Sequence, residues 1–328
     1  MHEREQAPGS PGSGDTQPHA HAHAEPHAHP HAPVDGSDDG RPRLAFIGAG
    51  RVGSVLGAAL ARAGWQVTAV ASRDEARRVR FAELVPGVRA FAEPNAVLDE
   101  AELIFLTVPD DALAPMADSL KLYSGQALVH TSGALPASVL QPAMAAGTSA
   151  ASFHPLVAFA DFERGLAALS GATVALEGES SLLPLLAEMA ESIGARPVEL
   201  AAEGKAAYHA AAMLAAGGLV GLLDALVEVA AAGAGLDEQA ALAVYLPLSR
   251  QALANAEQLG VARALTGPLV RGDVSTVAGH LDALRRLAPG ALPLYLAVAR
   301  RELAIAERRG ELAGEAADRL RTLLDGEA

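Results

Sequence analysis

The chain has 328 residues, half of them apolar, which is enough for two domains of ordinary size, each with its own core. Its formal charge is −14, so neither a nucleic acid nor an anionic membrane surface is expected as the main partner. Cysteine is absent, which excludes disulfides, thiol catalysis and zinc–thiolate sites and fits a reducing, cytoplasmic setting.

Residues 1–40 are rich in Pro, Gly, Ala, His and acid and show no hydrophobic periodicity, so a disordered tail is expected there. Seven of the eleven histidines fall in it, six of them (His19, His21, His23, His27, His29 and His31) in "HAHAHAEPHAHPHA". Alternating imidazoles on a flexible chain can chelate nickel, zinc or copper. Adventitious binding and metal storage or delivery both remain open for this segment. No apolar stretch precedes a small-residue cleavage site, so no secretory signal is expected.

From Arg43 the texture changes. "RLAFIGAG" reads as a buried strand entering a glycine turn, and "RVGSVLGAALARAG" as a helix closed by Gly64. "QVTAVAS", "AELIFLTV" and "QALVHTSG" read as further strands with helical segments between them. Strands and helices alternating in this way predict an α/β fold, a Rossmann-type doubly wound parallel sheet. With the strand candidates "TVAL" and "RPVEL", this domain is expected over residues 41–200.

Strand signals stop after Glu203. Ala- and Leu-rich helices are expected at about 205–234, 237–259, 273–287, 291–309 and 312–325, forming an all-α domain over 201–328. Ala206–Leu223 is long and apolar enough to resemble a membrane span; its Ala- and Gly-rich composition and its place among helices predict instead a helix buried inside the domain.

"GAGRVG" places Gly48, Gly50 and Gly53 in the G-x-G-x-x-G spacing, after a strand and opening a helix. The first glycine permits the tight turn, the second lets the backbone approach a pyrophosphate, and the third allows helix and strand to pack closely. Arg51 and Val52 lie within the turn. The second strand ends not in an acid, which would hold a ribose 2′-hydroxyl, but in Ser72 and Arg73. A hydroxyl and a guanidinium suit a 2′-phosphate, so NADP(H) is expected over NAD(H). "LTVPDDAL" places Val108 and Pro109 at the sheet edge beside the cofactor, with Asp110 or Asp111 as the cap of the next helix.

Three more polar stretches follow predicted strands: His130–Ala134, Ser152–Leu156 and Gly204–His209. Ser132, Gly133 and Ala134 can offer a hydroxyl and backbone N–H groups to a carboxylate or developing oxyanion. His154 precedes Pro155 and is restrained by it. Lys205 is one of only two lysines, the other being Lys121, and precedes His209 by one helical turn. A carbonyl reduction needs one proton donor beside the oxygen, and a desolvated lysine can be that donor. A solvated Lys205 and a packed His209 account for the local sequence equally well.

Taken together, "GAGRVG", "HTSGAL", "SFHPL", "KAAYHAAA" and "LTGPLVRGDVSTV" resemble a family of Rossmann-like proteins whose C-terminal helical domain is known only by number. That family is similar to pyrroline-5-carboxylate reductases, ketopantoate reductases and β-hydroxyacid dehydrogenases. In the last group a Ser–Gly turn binds substrate and a helical Lys acts with an Asn four residues on. Ser132–Gly133 and Lys205 match, whereas His209 stands where that Asn would be. His154–Pro155 also resembles the His-Pro element of prephenate-type dehydrogenases. The resemblance implies an NADPH-dependent reductase of a small carbonyl acid, best a branched 2-oxo acid of the ketopantoate type. Lys205 would donate the proton, Ser132 would hold the carboxylate, and His154 and His209 would position the substrate. It also implies a homodimer through the C-terminal helices. A cyclic imine or 3-hydroxy acid substrate, and a non-catalytic NADP-binding regulator with a metal-binding tail, are the competing readings. Thr266, Arg271 and Asp273 could approach the cleft or a subunit interface, and a break between helices explains Gly267 and Pro268 equally well.

Overall fold

The computed structural model describes residues 40–144, 147–312 and 314–326, so the tail histidines His19–His31 lie outside the described residues. Eight strands form one sheet in the order β3-β2-β1-β4-β5-β6-β7-β8. They are β1 (Leu44–Ile47), β2 (Val67–Ala71), β3 (Arg89–Phe91), β4 (Leu103–Leu106), β5 (Ala127–His130), β6 (Ser149–Pro155), β7 (Thr173–Gly178) and β8 (Arg196–Glu199). The first six run parallel. The order reverses between β1 and β4, which opens the crevice where open α/β sheets take their ligands.

The sheet departs from the all-parallel expectation at its far side. β7 pairs antiparallel with β6, and β8 runs parallel to β7. β6 also runs further than the sequence suggests, so Ser152–Pro155 lies within a strand rather than in a loop after one.

The helices alternate with the strands as α1 (Arg51–Arg62), α2 (Glu75–Leu84), α3 (Asp110–Ser119), α4 (Gln141–Met144), α5 (Phe162–Leu169) and α6 (Leu183–Ser192). Both faces of the sheet are apolar because both are covered. One face buries Phe46, Phe105, Phe153, Leu56 and Trp65 in one cluster, with the Phe46 and Phe105 rings stacked at 5.0 Å. The other buries Ile47, Ile104, Leu106, Leu128 and Leu113.

The helical region comprises α7 (Lys205–Met213), α8 (Leu219–Ala234), α9 (Glu238–Leu259), α10 (Val261–Ala264), α11 (Pro268–Arg271), α12 (Val274–Leu287), α13 (Leu292–Arg308) and α14 (Glu315–Asp325). A π-helical turn, Leu214–Gly218, joins α7 to α8 without a break. Leu269, Val277, Leu281, Leu303 and Leu320 form the core of the later helices. Sheet and helices belong to one contact unit, Pro42–Ala328.

One sequence expectation is corrected here. The apolar helix is not buried: over Ala202–Ala234 an 18-residue window of mean hydropathy 2.0 has none of its residues buried. Among the described residues one side of α7, α8 and α9 has no neighbour, leaving Leu214 76% and Val220 67% exposed. The segment "LTGPLVRGDVSTV" runs through the breaks between α10, α11 and α12. Gly267 and Gly272 take positive φ, and Asp273 caps α12 by accepting from the Thr276 amide at 3.1 Å. Its bonds to Thr276 and Ser275 hold the Asp273 carboxyl down at about 2.

Candidate active site

The glycine turn after β1 divides into two packed glycines and one open one. A Cβ on Gly48 would lie 2.5 Å from the Thr107 carbonyl oxygen, and φ is +112° there; a Cβ on Gly53 would meet the Gly48 oxygen at 2.2 Å. A Cβ on Gly50 would meet nothing within 4 Å. Gly48 and Gly53 thus bring β1, α1 and Thr107 together, while Gly50 keeps backbone accessible. Gly50 also stands at the start of α1 with no side chain capping it, so the helix's first N–H groups are free to face an anion.

These features fit a dinucleotide pyrophosphate. At the end of β2, Ser72 is half-buried and Arg73 exposed. Arg78, which sequence reasoning missed, turns back from α2 and donates to the Ser72 and Arg73 carbonyls at 2.6 and 3.1 Å. A guanidinium therefore braces the turn that carries the phosphate-reading candidates. Arg51 is exposed at the first helical position. Val52 instead packs on the core of the sheet, and Val108 on the opposite face, so neither is simply a lining residue.

Beyond the crevice the ends of three strands align their polar residues. His130 of β5 is the register partner of Ser152 of β6, and Ser152 that of Glu177 of β7. Register partners point to the same side of a sheet, so the three form a polar row across it. Lys205 meets this row from the start of α7. It is 1% exposed, and its Nζ donates to the Ser152 hydroxyl and, at 3.2 Å, to the Ser132 carbonyl. An ammonium has three N–H groups, so one remains beyond these two bonds.

Ser132 is occupied within its own turn. Its hydroxyl donates to Asp110 Oδ2 at 2.8 Å and accepts from the Ala134 and Leu135 amides at 3.2 and 3.1 Å. Its amide donates to His130 Nδ1 at 3.1 Å, which leaves the proton of the neutral ring on Nε2. The capping role expected of Asp110 or Asp111 is not seen. Pro109 occupies the cap position of α3 with no side-chain bond, and Asp110 braces the Ser132 turn instead.

Gly133 forms a floor on which two imidazoles sit. A Cβ there would lie 2.5 Å from His209 Nδ1 and 2.7 Å from His154 Nε2. The His154 ring meets the His209 and Tyr208 rings edge-on, each pair with centroids 5.8 Å apart. Among the described residues His154 Nδ1, His209 Nδ1 and Tyr208 Oη are buried and make no hydrogen bond. Buried polar atoms nearly always have partners, so three clustered exceptions mark a place built for a polar ligand.

The charges here are tuned by burial. Desolvation lowers the pKa of Lys205, opposed by the carboxylates of Glu177 and Asp110. His130 and His154 are each pushed down to about 4, first by burial and then by the nearby Lys205 charge. Burial raises the Tyr208 phenol. The cluster therefore holds two neutral imidazoles, a neutral phenol and one lysine facing two carboxylates.

The structure thus brings Ser132, Gly133, Ala134, His154, Lys205 and His209 into one cluster, and Gly48, Gly50, Arg51, Ser72 and Arg73 around the open turn. Thr107, Asp110, His130, Glu177 and Tyr208 join them without having been singled out as site residues. The first four depend on pairing between distant strands and loops, which local spacing does not encode. Tyr208 was legible only as a neighbour of His209.

Fold and site together define a Rossmann-like domain joined to a helical C-terminal domain. Residues 31–155 match the family model of a Rossmann-like domain, and residues 172–302 that of a domain of unknown function, DUF2520. Among solved structures, protein TM1727 from Thermotoga maritima is 27% identical, with a TM-score of 0.64, covering 81% of this chain and 99% of that one. An imine reductase from Pseudomonas sp. is 18% identical, with a TM-score of 0.60, covering 86% and 99%. A reductive aminase from Aspergillus terreus, solved with NADPH and ethyl-5-oxohexanoate, is 16% identical, with a TM-score of 0.60 and the same coverage. The last two share the fold. No curated protein matches the chain.

Proposed function

We propose that this chain is an NADPH-dependent reductase of a small carbonyl compound, with Lys205 as its proton donor. The observation that carries the reading is Lys205 itself: buried beside three unpartnered polar atoms, with an N–H to spare, in a chain whose Gly50 turn is open to a pyrophosphate. The neighbours described as an imine reductase and as a reductive aminase bound to NADPH support the reaction class.

Gly50 and the start of α1 hold the pyrophosphate, and Ser72, Arg73 and Arg51 take the 2′-phosphate. The bound cofactor supplies hydride to the substrate carbon. Lys205 gives one proton to the oxygen as the C=O bond becomes C–OH, so that carbon gains hydride and oxygen gains the proton. His154, His209 and Tyr208 orient the oxygen by hydrogen bonds, and the neutral His154 ring does so without repelling the ammonium. The Ser132–Gly133 turn fixes the floor beneath them.

The leading substrate from sequence is a branched 2-oxo acid of the ketopantoate type. A second reading, a cyclic imine, is favoured by the charge count. Lys205 already faces Glu177 and Asp110, so a substrate carboxylate would bring a third anion toward one cation, whereas a C=N group brings none. We further propose a homodimer through the exposed faces of α7, α8 and α9. This face continues onto Val244, Leu248 and Leu253 of α9, among Arg250 and Glu257, charges that a lipid phase would strand and a protein interface places at its rim.

The test is NADPH oxidation against 2-oxo acids, 3-oxo acids and cyclic imines, with NADH in parallel. Turnover of one class with NADPH preferred is expected. NADPH binding without turnover of any compound would replace the enzyme reading with that of a binding protein.

A further inference from the structure

We infer that Glu177 is the positioning residue that keeps Lys205 charged and aimed at the Ser132 turn. The inference deepens the proton-donor reading of Lys205 and rests on it for its catalytic meaning.

Burying an ammonium to 1% exposure costs several kcal/mol unless a counter-charge offsets it. The candidates must come from elements packed around α7. From β5 comes His130 and from β6 His154, both neutral rings that cannot compensate a cation. From α7 itself comes Tyr208, whose phenol is raised further from ionisation by burial. From the start of α3 comes Asp110, an exposed carboxylate already accepting from the Ser132 hydroxyl. Among the described residues only Glu177, from β7, is a buried carboxylate, and its charge opposes the desolvation of the lysine together with that of Asp110.

Its placement is fixed from two directions. Pairing of β6 with β7 sets Glu177 directly opposite Ser152, whose hydroxyl receives the lysine N–H. Its Oε2 accepts from the Ala137 amide at 2.6 Å, tying β7 to the segment that leaves the Ser132–Gly133 turn. Glu177 therefore sits opposite the serine that holds the lysine and is bonded to the loop beyond the turn the lysine points at. Without its charge, desolvation acts on Lys205 with only Asp110 against it, and the amine tends toward its neutral form, which cannot donate a proton to a substrate oxygen.

The composition makes the test direct, since the chain has only two lysines. With lysine labelled by 15N at Nζ, the full-length protein gives two side-chain signals, Lys205 and the exposed reference Lys121. Glu177→Gln removes the charge and keeps an acceptor for the Ala137 amide. We expect the Lys205 midpoint to fall by about one unit or more while Lys121 stays, in keeping with the effect of a close opposite charge. An unchanged Lys205 midpoint would overturn the inference. Should Glu177→Gln fail to fold, Glu177→Asp, which draws the carboxylate back by one methylene, reads the same coupling: the Lys205 midpoint must again fall against Lys121, and an unmoved midpoint overturns the inference equally.

Neither measurement needs turnover. A shifted midpoint in a protein that reduces nothing would uphold Glu177 and sink the reductase reading. In an active protein the alkaline limb of kcat moves to lower pH in Glu177→Gln with KM for NADPH unchanged, which a purely structural loss would not produce.

Discussion

The Lys205 ammonium lies 3.2 Å from the Ser132 carbonyl oxygen, reaching across from the first turn of α7 to the loop that ends β5. That bond joins the helical region to the sheet at the place where the polar atoms without partners gather. Replacing the lysine by Met keeps the length and apolar stem and removes the proton. Lys205→Met is expected to lower kcat by roughly 100- to 10,000-fold, the range for losing a general acid. The NADPH dissociation constant should not change, because the glycine turn is built from β1 and α1. Steady-state kinetics beside a fluorescence titration of NADPH measures both; a mild kcat effect would make the lysine an anchor.

Gly133 tests whether the two imidazoles belong to the site. Any side chain there meets His209 Nδ1 at 2.5 Å and His154 Cε1 and Nε2 at 2.7 Å, so both rings must shift. Gly133→Ala is expected to cost about 1–3 kcal/mol of stability, the usual range for overpacking. The larger effect should fall on kcat/KM for substrate, since reacting groups lose rate with displacements of about 1 Å. Unaltered kinetics in a folded Gly133→Ala protein would remove His154 and His209 from the site.

The glycine turn separates folding from binding at adjacent positions. Gly48→Ala places a Cβ against the Thr107 carbonyl in a conformation of positive φ, and should destabilise the fold by about 1–3 kcal/mol. Gly50→Ala meets nothing and has no positive φ, so its melting temperature should stay close to the wild type while NADPH binds more weakly. Thermal melts with and without NADPH read both. Equal loss of stability in the two variants would contradict the division.

This division was legible in the sequence, because the three glycine roles follow from backbone geometry over six residues and need no knowledge of what lies far away. Lys205 was legible in the same way, as a rare residue at a helix start. Its charged partners were not. Glu177 reaches the lysine only because β7 turns antiparallel to β6 and sets it opposite Ser152, and nothing in "TVALEG" announces that reversal. Asp110 looked like a helix cap because acids after a proline commonly are, and the Ser132 hydroxyl on another loop claimed it instead. The apolar stretch after Lys205 was rightly read as helix and wrongly as buried, since composition records the need for an apolar partner but not whether that partner lies in the same chain.

Acid should weaken the fold through the buried histidines. His130 and His154 titrate near 4 when folded and near 6.5 in the ordinary state, so between those values the unfolded chain binds more protons. Their contribution is present above pH 6.5 and is lost as pH falls toward 4, by about 2 kcal/mol for each histidine between pH 7.5 and 5. Urea denaturation at pH 7.5 and 5 should show this loss. His130→Asn, which keeps an acceptor for the Ser132 amide and cannot take up a proton, should lose less. The same loss in wild type and variant would mean that His130 is not held neutral.

The exposed apolar face of the helical region yields the last prediction. Leu214, Val220 and Leu248 are each more than 60% exposed, on helices contiguous in the chain, and so many large apolar side chains on one side exceed what a soluble monomer usually shows. A second copy placing the same face against it would bury both at once, as two-fold interfaces do. Sedimentation should give twice the 33.4 kDa of one chain. Leu248→Glu adds a charge at the centre of that face while touching neither the glycine turn nor the Lys205 cluster, so it should yield a folded monomer that still binds NADPH. A wild-type monomer would rule out the dimer and leave the face to another occupant. A Leu248→Glu dimer would move the interface elsewhere, for a buried unpaired carboxylate costs more than a single lost leucine contact.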